Sequence, residues 1–241
     1  MTLLIVLPTY NERLNLERVS EAILAHPFTR LLVVDDESPD GRGALADELA
    51  ARWPGRFEVF HRRGPRGLGL AYVDGLRRAM ASGVEAIGQM DADLSHDPAY
   101  LPSLVESLER HDLVIGSRYL QGVSVINWPL HRIVLSAFAN RYIRFVTGLG
   151  PRDCTSGFRV WRRDALARLP LEHARANGYA FLTEMLYQAA RRGCRIGEVP
   201  IVFVERQEGY SKVSQKVLVE SLLTPWRLVL RGGRLRRSQA P

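Results

Sequence analysis

No stretch of this 241-residue chain approaches the ~18–20 consecutive apolar residues that a membrane-crossing helix needs. The opening apolar run, residues 3–7 (LLIVL), is short, lacks a basic lead and ends at Pro8, so it does not resemble a secretory leader. Any membrane contact is therefore expected to be peripheral. Cysteine is scarce. Cys154 and Cys194 lie far from metal-ligand spacing, and free thiols in a reducing compartment are expected. No segment is low in complexity and no repeat is visible. The histidines at 26, 61, 96, 111, 131 and 173 are scattered, and no nucleophile-and-base set stands out. Acid is missing from the last segment. Arg227, Arg231, Arg234, Arg236 and Arg237 alternate there with Trp226, Leu228, Val229, Leu230 and Leu235. That segment fits either a membrane-surface contact or a solvated, frayed tail.

What is present is ordinary globular material, 46% hydrophobic and 24% charged. The length suits one large α/β domain or two small ones. A formal charge of +7 and a pI near 9.8 favour anionic partners: nucleic acid, anionic lipid or phosphorylated substrates.

Periodicity orders the first half. Residues 3–7, 31–34 (LLVV), 57–60, 86–90 and 113–115 are short apolar runs of buried-strand type. Between them fall helical patterns: residues 15–25, a helix capped by Asp40 and running to about Trp53, a helix through Met80 after the Gly-rich RRGPRGLG, and one opening at Pro98 behind Asp97. Strands alternating with helices predict a mostly parallel, Rossmann-like central sheet with flanking helices. Ligands in such sheets bind beyond the carboxyl ends of the strands. PTYNE, DDESPDG, DADLSH and GSRY all fall at those ends.

Beyond residue 115 the pattern is less regular. Residues 130–146 form an amphipathic helix, with Leu130, Ile133, Val134, Ala137, Phe138, Tyr142 and Phe145 in one broad stripe. The stripe is expected to pack into the core; the alternative is a helix beside an acyl chain or a bilayer surface. A helix over 181–191 and a strand over 196–204 follow, then the polar ERQEGYSK. A catalytic domain over 1–224 and a basic, flexible tail over 225–241 are expected.

Asp91 and Asp93, two apart at a strand end, point to one face. Paired carboxylates are hard ligands for Mg²⁺ or Mn²⁺, which stabilise a leaving diphosphate. A lone D-x-D is weak; its place at the end of a buried strand gives it weight. One of Asp35 and Asp36 can face the crevice and accept from nucleobase N–H groups. Arg118, Arg132, Arg206 and Lys212 are the cations suited to phosphate. The last two lie in a Gly- and Ser-containing segment that can close over a diphosphate. A phosphate acceptor explains the missing base, because a monoester with a second pKa near about 6 is already largely dianionic. What remains is positioning and neutralising anions.

PTYNE (8–12), DDESPDG (35–41), DADLSHDP (91–98), GSRY (116–119), NWP (127–129), SGFR (156–159), GEVPI (197–201) and EGYSK (208–212) come in this order along the chain. Together they resemble dolichol- or polyprenol-phosphate mannose synthases, inverting family 2 glycosyltransferases of glycosyltransferase-A type. The later motifs are the more specific ones. The resemblance implies GDP-mannose as donor, a polyprenyl phosphate lipid as acceptor, a divalent metal and work at the cytoplasmic side of the membrane. It implies that Pro8, Tyr10, Glu12, Val34 and Asp36 hold the guanosine. It places Asp91, Ala92 and Asp93 at the diphosphate, with Asp91, Asp93 and Ser95 as metal ligands. Arg118 and Arg132 would face the acceptor phosphate and the sugar, with Arg118 also among the GDP-mannose contacts, and Arg206 and Lys212 would close on the donor. Some members carry transmembrane helices after the catalytic domain; this chain resembles the compact type, for which a separate membrane protein is a possible anchor. The close rival is transfer of glucose from UDP-glucose to the same kind of lipid. A basic nucleic-acid-binding protein is the rival of another class, and no reading motif or aromatic-interleaved basic face supports it. A catalytically dead binding subunit is the third, opposed by the intact acids.

Overall fold

A computed structural model describes residues 1–9, 13–36, 42–171, 179–205 and 215–235. Asp40, Tyr10, Glu12, Arg206 and Lys212 lie outside the described residues. The central sheet has seven strands: β1 (Leu3–Thr9), β2 (Thr29–Asp35), β3 (Phe57–His61), β4 (Ala86–Gln89), β5 (Leu113–Ser117), β7 (Arg159–Arg162) and β8 (Ile196–Pro200). Their order is β3-β2-β1-β4-β7-β5-β8. Every pairing is parallel except those of β7, which runs antiparallel to both β4 and β5. A separate two-stranded ribbon joins β6 (Val125–Ile126) to β9 (Phe203–Val204).

Side chains alternate strictly across the sheet, as period-2 geometry requires. Leu3, Ile5, Leu7, Leu31 and Val33 bury one face under α1 (Arg13–Leu24), α2 (Arg42–Arg52) and α4 (Leu101–Ser107). Leu4, Val6, Leu32 and Val34 bury the other under α3 (Leu68–Ala81) and α7 (Tyr179–Arg191). Helix α3 lies very close to the strands at Gly75. A Cβ there would stand 2.5 Å from Val6 Cγ1 and 2.8 Å from Val34 Cγ2. Asp97 accepts from Ala99 N at 2.9 Å and caps the 3-10 turn Pro98–Tyr100 that leads into α4, as the sequence predicts. A short α6 (Arg163–Ala167) follows β7 directly.

Three expectations change. The strand predicted over 196–204 is two strands in different sheets, because the chain leaves the main sheet after Pro200 and enters the ribbon at Phe203. Helix α5 (Leu130–Thr147) has the predicted extent and ends on Gly148 at φ 80°, but its stripe does not pack into the core. Leu130, Val134, Leu135, Phe138 and Phe145 are exposed, while Ile143 and Val146 are buried. Helix α8 (Gln215–Gly232) runs straight through the boundary expected at 224/225. It contains Pro225, buries Leu228 and lies against α5, where Tyr142 Oη donates to the Leu222 carbonyl at 2.7 Å. Leu235 N then donates to Thr147 O at 2.9 Å. Residues 225–235 are thus packed structure, in place of the expected tail.

Candidate active site

Strand β1 is where the sheet reverses its direction of growth: β2 and β3 extend it one way, β4 the other. The last pairing of β1 with β4 is Val6 with Gln89, so Pro8 and Thr9 project past that partner. Such a switch point opens a crevice at the carboxyl ends of the strands. Pro8 sits there opposite Val34 in the β1–β2 register. The side chain of Val34 faces Gly75 and the core, so whatever Val34 offers a ligand comes from its main chain.

The two acids at the end of β2 diverge, as alternation demands. Asp35 accepts from the His61 ring at 3.3 Å. Asp36 turns to the α3 side, where Arg62 Nη1 donates to Oδ1 at 2.6 Å and Gly67 N donates to Oδ2 at 3.0 Å. Arg62 also donates to Asp74 at 2.6 Å and to Pro65 O at 2.6 Å. Burial pushes the Arg62 guanidinium down, and the bonds to Asp74 and Asp36 outweigh it and hold it up. Asp36 therefore anchors the Gly-rich loop, whose Gly64 and Gly67 both have positive φ.

Past β4, Asp91 is held by two hydrogen bonds, with a glycine leaving room for its carboxylate. The buried Tyr72 hydroxyl lies 3.2 Å from both Asp91 Oδ1 and Met90 O. Asp91 N donates to His96 Nδ1 at 3.2 Å. Gly157 leaves room for the carboxylate, since a Cβ there would be 3.2 Å from Oδ1. Burial first, and the Asp91 charge second, hold the Tyr72 phenol well above its ordinary value, so it stays a donor. Ala92 is buried in the core. Leu94 takes φ 61°, and the turn it makes lets Ser95 N donate to Asp93 Oδ1 at 3.1 Å, joined by the Ser95 hydroxyl. That bond directs the Ser95 proton at Asp93. Among the described residues no group of three His, Cys, Asp or Glu side chains suited to a metal is found. The donor set is two carboxylates of hard oxygen type, which fits a divalent ion that completes its shell with phosphate and water.

Across the crevice Arg118 follows β5. Its Nε and Nη2 grip the fully buried Asp153 at 2.7 and 2.8 Å, and Nη2 also reaches Thr155 Oγ1 at 2.8 Å. Burial alone would raise the Asp153 carboxyl, but the charge and hydrogen bonds of Arg118 outweigh it and hold it below the ordinary range. Arg132, on the first turn of α5, pairs with Glu205 and lies 4.1 Å from the centre of the Trp128 ring. Arg118 lies 5.6 Å from the same ring. Nearby, the Tyr119 hydroxyl donates to Ser136 Oγ at 2.7 Å. A run of rings connects the two sides. His96 meets Phe203 edge-on at 5.4 Å, and Phe203 meets Trp128 edge-on at 5.3 Å.

The structure thus places Asp91, Ala92, Asp93 and Ser95 on one side of the crevice and Arg118 and Arg132 on the other, linked through the rings of His96, Phe203 and Trp128. Sequence reasoning missed Tyr72, His96, Asp153, Glu205 and Arg62. Tyr72 and Asp153 take up their roles only once distant segments meet, whereas Arg62, His96, Glu205 and also Trp128 stood inside stretches already noted, RRGPRGLG, DADLSHDP, ERQEGYSK and NWP.

A mostly parallel sheet with one inserted antiparallel strand, flanked by helices, and an acid pair past β4 define the glycosyltransferase-A architecture. Glycosyl transferase family 2 matches residues 4–169, and the chain belongs to that family. It is 44% identical over 221 residues to a polyprenol monophosphomannose synthase of Mycolicibacterium smegmatis, covering 91% of this chain and 83% of the relative. It is 42% identical over 242 residues to an undecaprenyl-phosphate mannosyltransferase of Micrococcus luteus, covering 98% of both. Among solved structures, glucosyl-3-phosphoglycerate synthase of Mycobacterium tuberculosis, with Mn²⁺, uridine diphosphate and phosphoglyceric acid, superposes with a TM-score of 0.66. The match is at 20% identity over 97% of this chain and 79% of that one, and it speaks for the fold.

Proposed function

We propose that the chain transfers mannose from GDP-mannose to a polyprenyl monophosphate, with inversion, as a peripheral enzyme at the cytoplasmic side of a membrane. The observation that carries this reading is an acidic pair faced across one crevice by an arginine pair, beside an exposed apolar helix face. The two mannosyltransferase relatives, similar over nearly the whole chain, favour mannose over the rival donor UDP-glucose.

Asp91, Asp93 and the hydroxyl oxygen of Ser95 would hold Mg²⁺ or Mn²⁺, with Tyr72 orienting the Asp91 carboxylate and the Ser95 proton directed at Asp93. Bound there, the ion would supply positive charge to the leaving diphosphate. Pro8, Tyr10, Glu12, Asp36 and the main chain of Val34 would hold the guanosine, and Ala92 would lie along the diphosphate. Asp36 keeps acceptor capacity on oxygens that already take Arg62 and Gly67, since each carboxylate oxygen has two lone pairs. Arg118 and Arg132 would receive the acceptor phosphate, and Arg206 and Lys212 would close on the donor. An oxygen of the dianionic acceptor attacks the anomeric carbon opposite the diphosphate. The new C–O bond forms as the old one breaks, and GDP leaves with the electron pair. An α-linked donor then gives a β-linked product, and no side chain needs to remove a proton.

Lipid access fits the α5 and α8 surfaces. Leu130, Val134, Leu135, Phe138 and Phe145 on α5 and Leu222, Leu223, Trp226 and Leu230 on α8 are all exposed. The same helices carry Arg141, Arg144, Arg227 and Arg231. No helix among the described residues is long and apolar enough to cross a membrane, so contact through this face is the economical arrangement.

The test is transfer of radiolabelled mannose from GDP-mannose into organic-extractable lipid, with purified protein, a polyprenyl phosphate and Mg²⁺, with and without EDTA. A metal-dependent, mild-acid-labile lipid product is expected. Glucose transfer from UDP-glucose in its place would overturn the donor. GDP-mannose binding without transfer would overturn the acceptor, or would require a separate membrane protein.

A further inference from the structure

We infer that Trp128 is a positioning residue for the acceptor phosphate. Its indole face holds Arg132, and more loosely Arg118, in the pose that receives a phosphate monoester. The inference rests on the acceptor role given above to those two arginines.

The indole is held by its faces and rim. Its only polar atom, Nε1, is buried and has no hydrogen-bond partner among the described residues. What surrounds the ring is Arg132 at 4.1 Å, Arg118 at 5.6 Å and the edge of Phe203 at 5.3 Å. Both guanidinium distances fall within the roughly 6 Å over which an aromatic face attracts a cation.

The two arginines are restrained unequally otherwise. Arg118 is 5% exposed and is gripped through two nitrogens by a fully buried Asp153, so its position does not depend on Trp128 alone. Arg132 and its partner Glu205 have side chains 25% and 27% exposed. An anion arriving at Arg132 competes with Glu205 for the N–H groups in the guanidinium plane. The indole attracts the guanidinium through its flat face, perpendicular to those donors. Stacking and bidentate hydrogen bonding are therefore compatible. When a phosphate takes the place of Glu205, the stack on Trp128 is the contact that keeps Arg132 from swinging into solvent. A long, flexible cation fixed in advance loses less freedom on binding.

Steady-state kinetics with separate variation of the two substrates test this. Losing a cation–π contact of this kind should raise KM for polyprenyl phosphate about tenfold in Trp128→Leu and about threefold in Trp128→Phe, which keeps a smaller ring. KM for GDP-mannose should stay within about twofold in both. Arg132→Ala, measured in parallel, separates this inference from the reading beneath it. A raised acceptor KM in Arg132→Ala with an unchanged one in Trp128→Leu overturns the role of Trp128 and leaves the acceptor site standing. Unchanged acceptor KM in both overturns the inference and the acceptor assignment together. A rise in both KM values for Trp128→Leu would mean general damage and would also overturn it.

Should Trp128→Leu fail to fold, uniform replacement of tryptophan by fluorinated tryptophans thins the ring's negative face with little change of shape. Binding of geranyl phosphate, followed by calorimetry, should then weaken stepwise with each added fluorine. Constant affinity across that series would overturn the inference. Among the described residues Trp128 is the tryptophan with arginines over its ring, so the series reports on this contact.

Discussion

Arg118 carries a full charge to a place that is 5% exposed, and it is stable there because Asp153 meets it with two parallel hydrogen bonds. Removing one member of such a pair leaves the other buried without a counterion. Asp153→Ala should therefore lower unfolding free energy by about 3–5 kcal/mol, read from urea denaturation. A change under about 1 kcal/mol would mean that solvent reaches Arg118. The same pair gives a pH signature. The Asp153 carboxyl lies below its ordinary value of 3.8 in the folded state. A depressed acid binds fewer protons when folded than when unfolded, so its stabilisation is present above that ordinary value. It is lost as pH falls through the folded value. The urea midpoint should drop on acidification below about pH 4, and Asp153→Asn should flatten that part of the profile. An equally steep acid limb in the variant would assign the effect to other carboxylates. At this scale the sequence was partly legible. Asp91, Asp93, Arg118 and Arg132 stand in motifs whose chemistry is plain, whereas Asp153 is 35 residues from Arg118 and becomes its partner only by folding.

Among the elements, helix α3 rests on the sheet only because residue 75 has no side chain. Gly75→Ala places a methyl 2.5 Å from Val6 Cγ1 and 2.8 Å from Val34 Cγ2. Alanine is the better helix former by about 1 kcal/mol, but overpacking a filled core costs about 1–3 kcal/mol. Net destabilisation is expected by urea unfolding, and a stabilised variant would show that α3 can ride outward freely. The movement would also carry Tyr72 away from Asp91, so metal affinity should weaken in the same variant. The alternation of strands and helices over residues 3–115 was readable because parallel strands buried on both faces are short, continuous apolar runs. Strand β7 was not readable. Its RVWR has no alternation of its own, and it is a strand because β4 and β5 leave a gap that it fills from both sides. The α5 stripe was found, but its direction was not. A helical period says which residues share a face, and it is silent on whether protein, lipid or water covers that face.

For the molecule as a whole, the distribution of charge and apolar surface decides where it works. A net charge of +7 favours anionic surfaces, and α5 and α8 add large apolar side chains at one location, with Leu130 75% and Leu230 83% exposed. Helix α5 is tied to α8 at Tyr142 and to the residues just past α8 where Arg234 donates to Phe145 O at 2.9 Å, so the face is a fixed platform. Charge alone would give binding that vanishes as salt rises, because the screening length falls from about 10 Å at 0.1 M to about 3 Å at 1 M. Insertion of apolar side chains does not screen. The protein should therefore sediment with anionic lipid vesicles and retain part of that binding in high salt. Phe138→Asp combined with Leu230→Asp should weaken binding by at least about 100-fold, since burying each such side chain in an apolar medium contributes about 1.5–3 kcal/mol. Both positions are exposed, so the folded domain should tolerate them, which circular dichroism checks. Undiminished sedimentation of the folded double variant would remove α5 and α8 as the membrane face. Binding lost entirely at high salt in the unaltered protein would make the contact purely electrostatic, and the exposed rings and leucines would then call for a protein partner within the membrane.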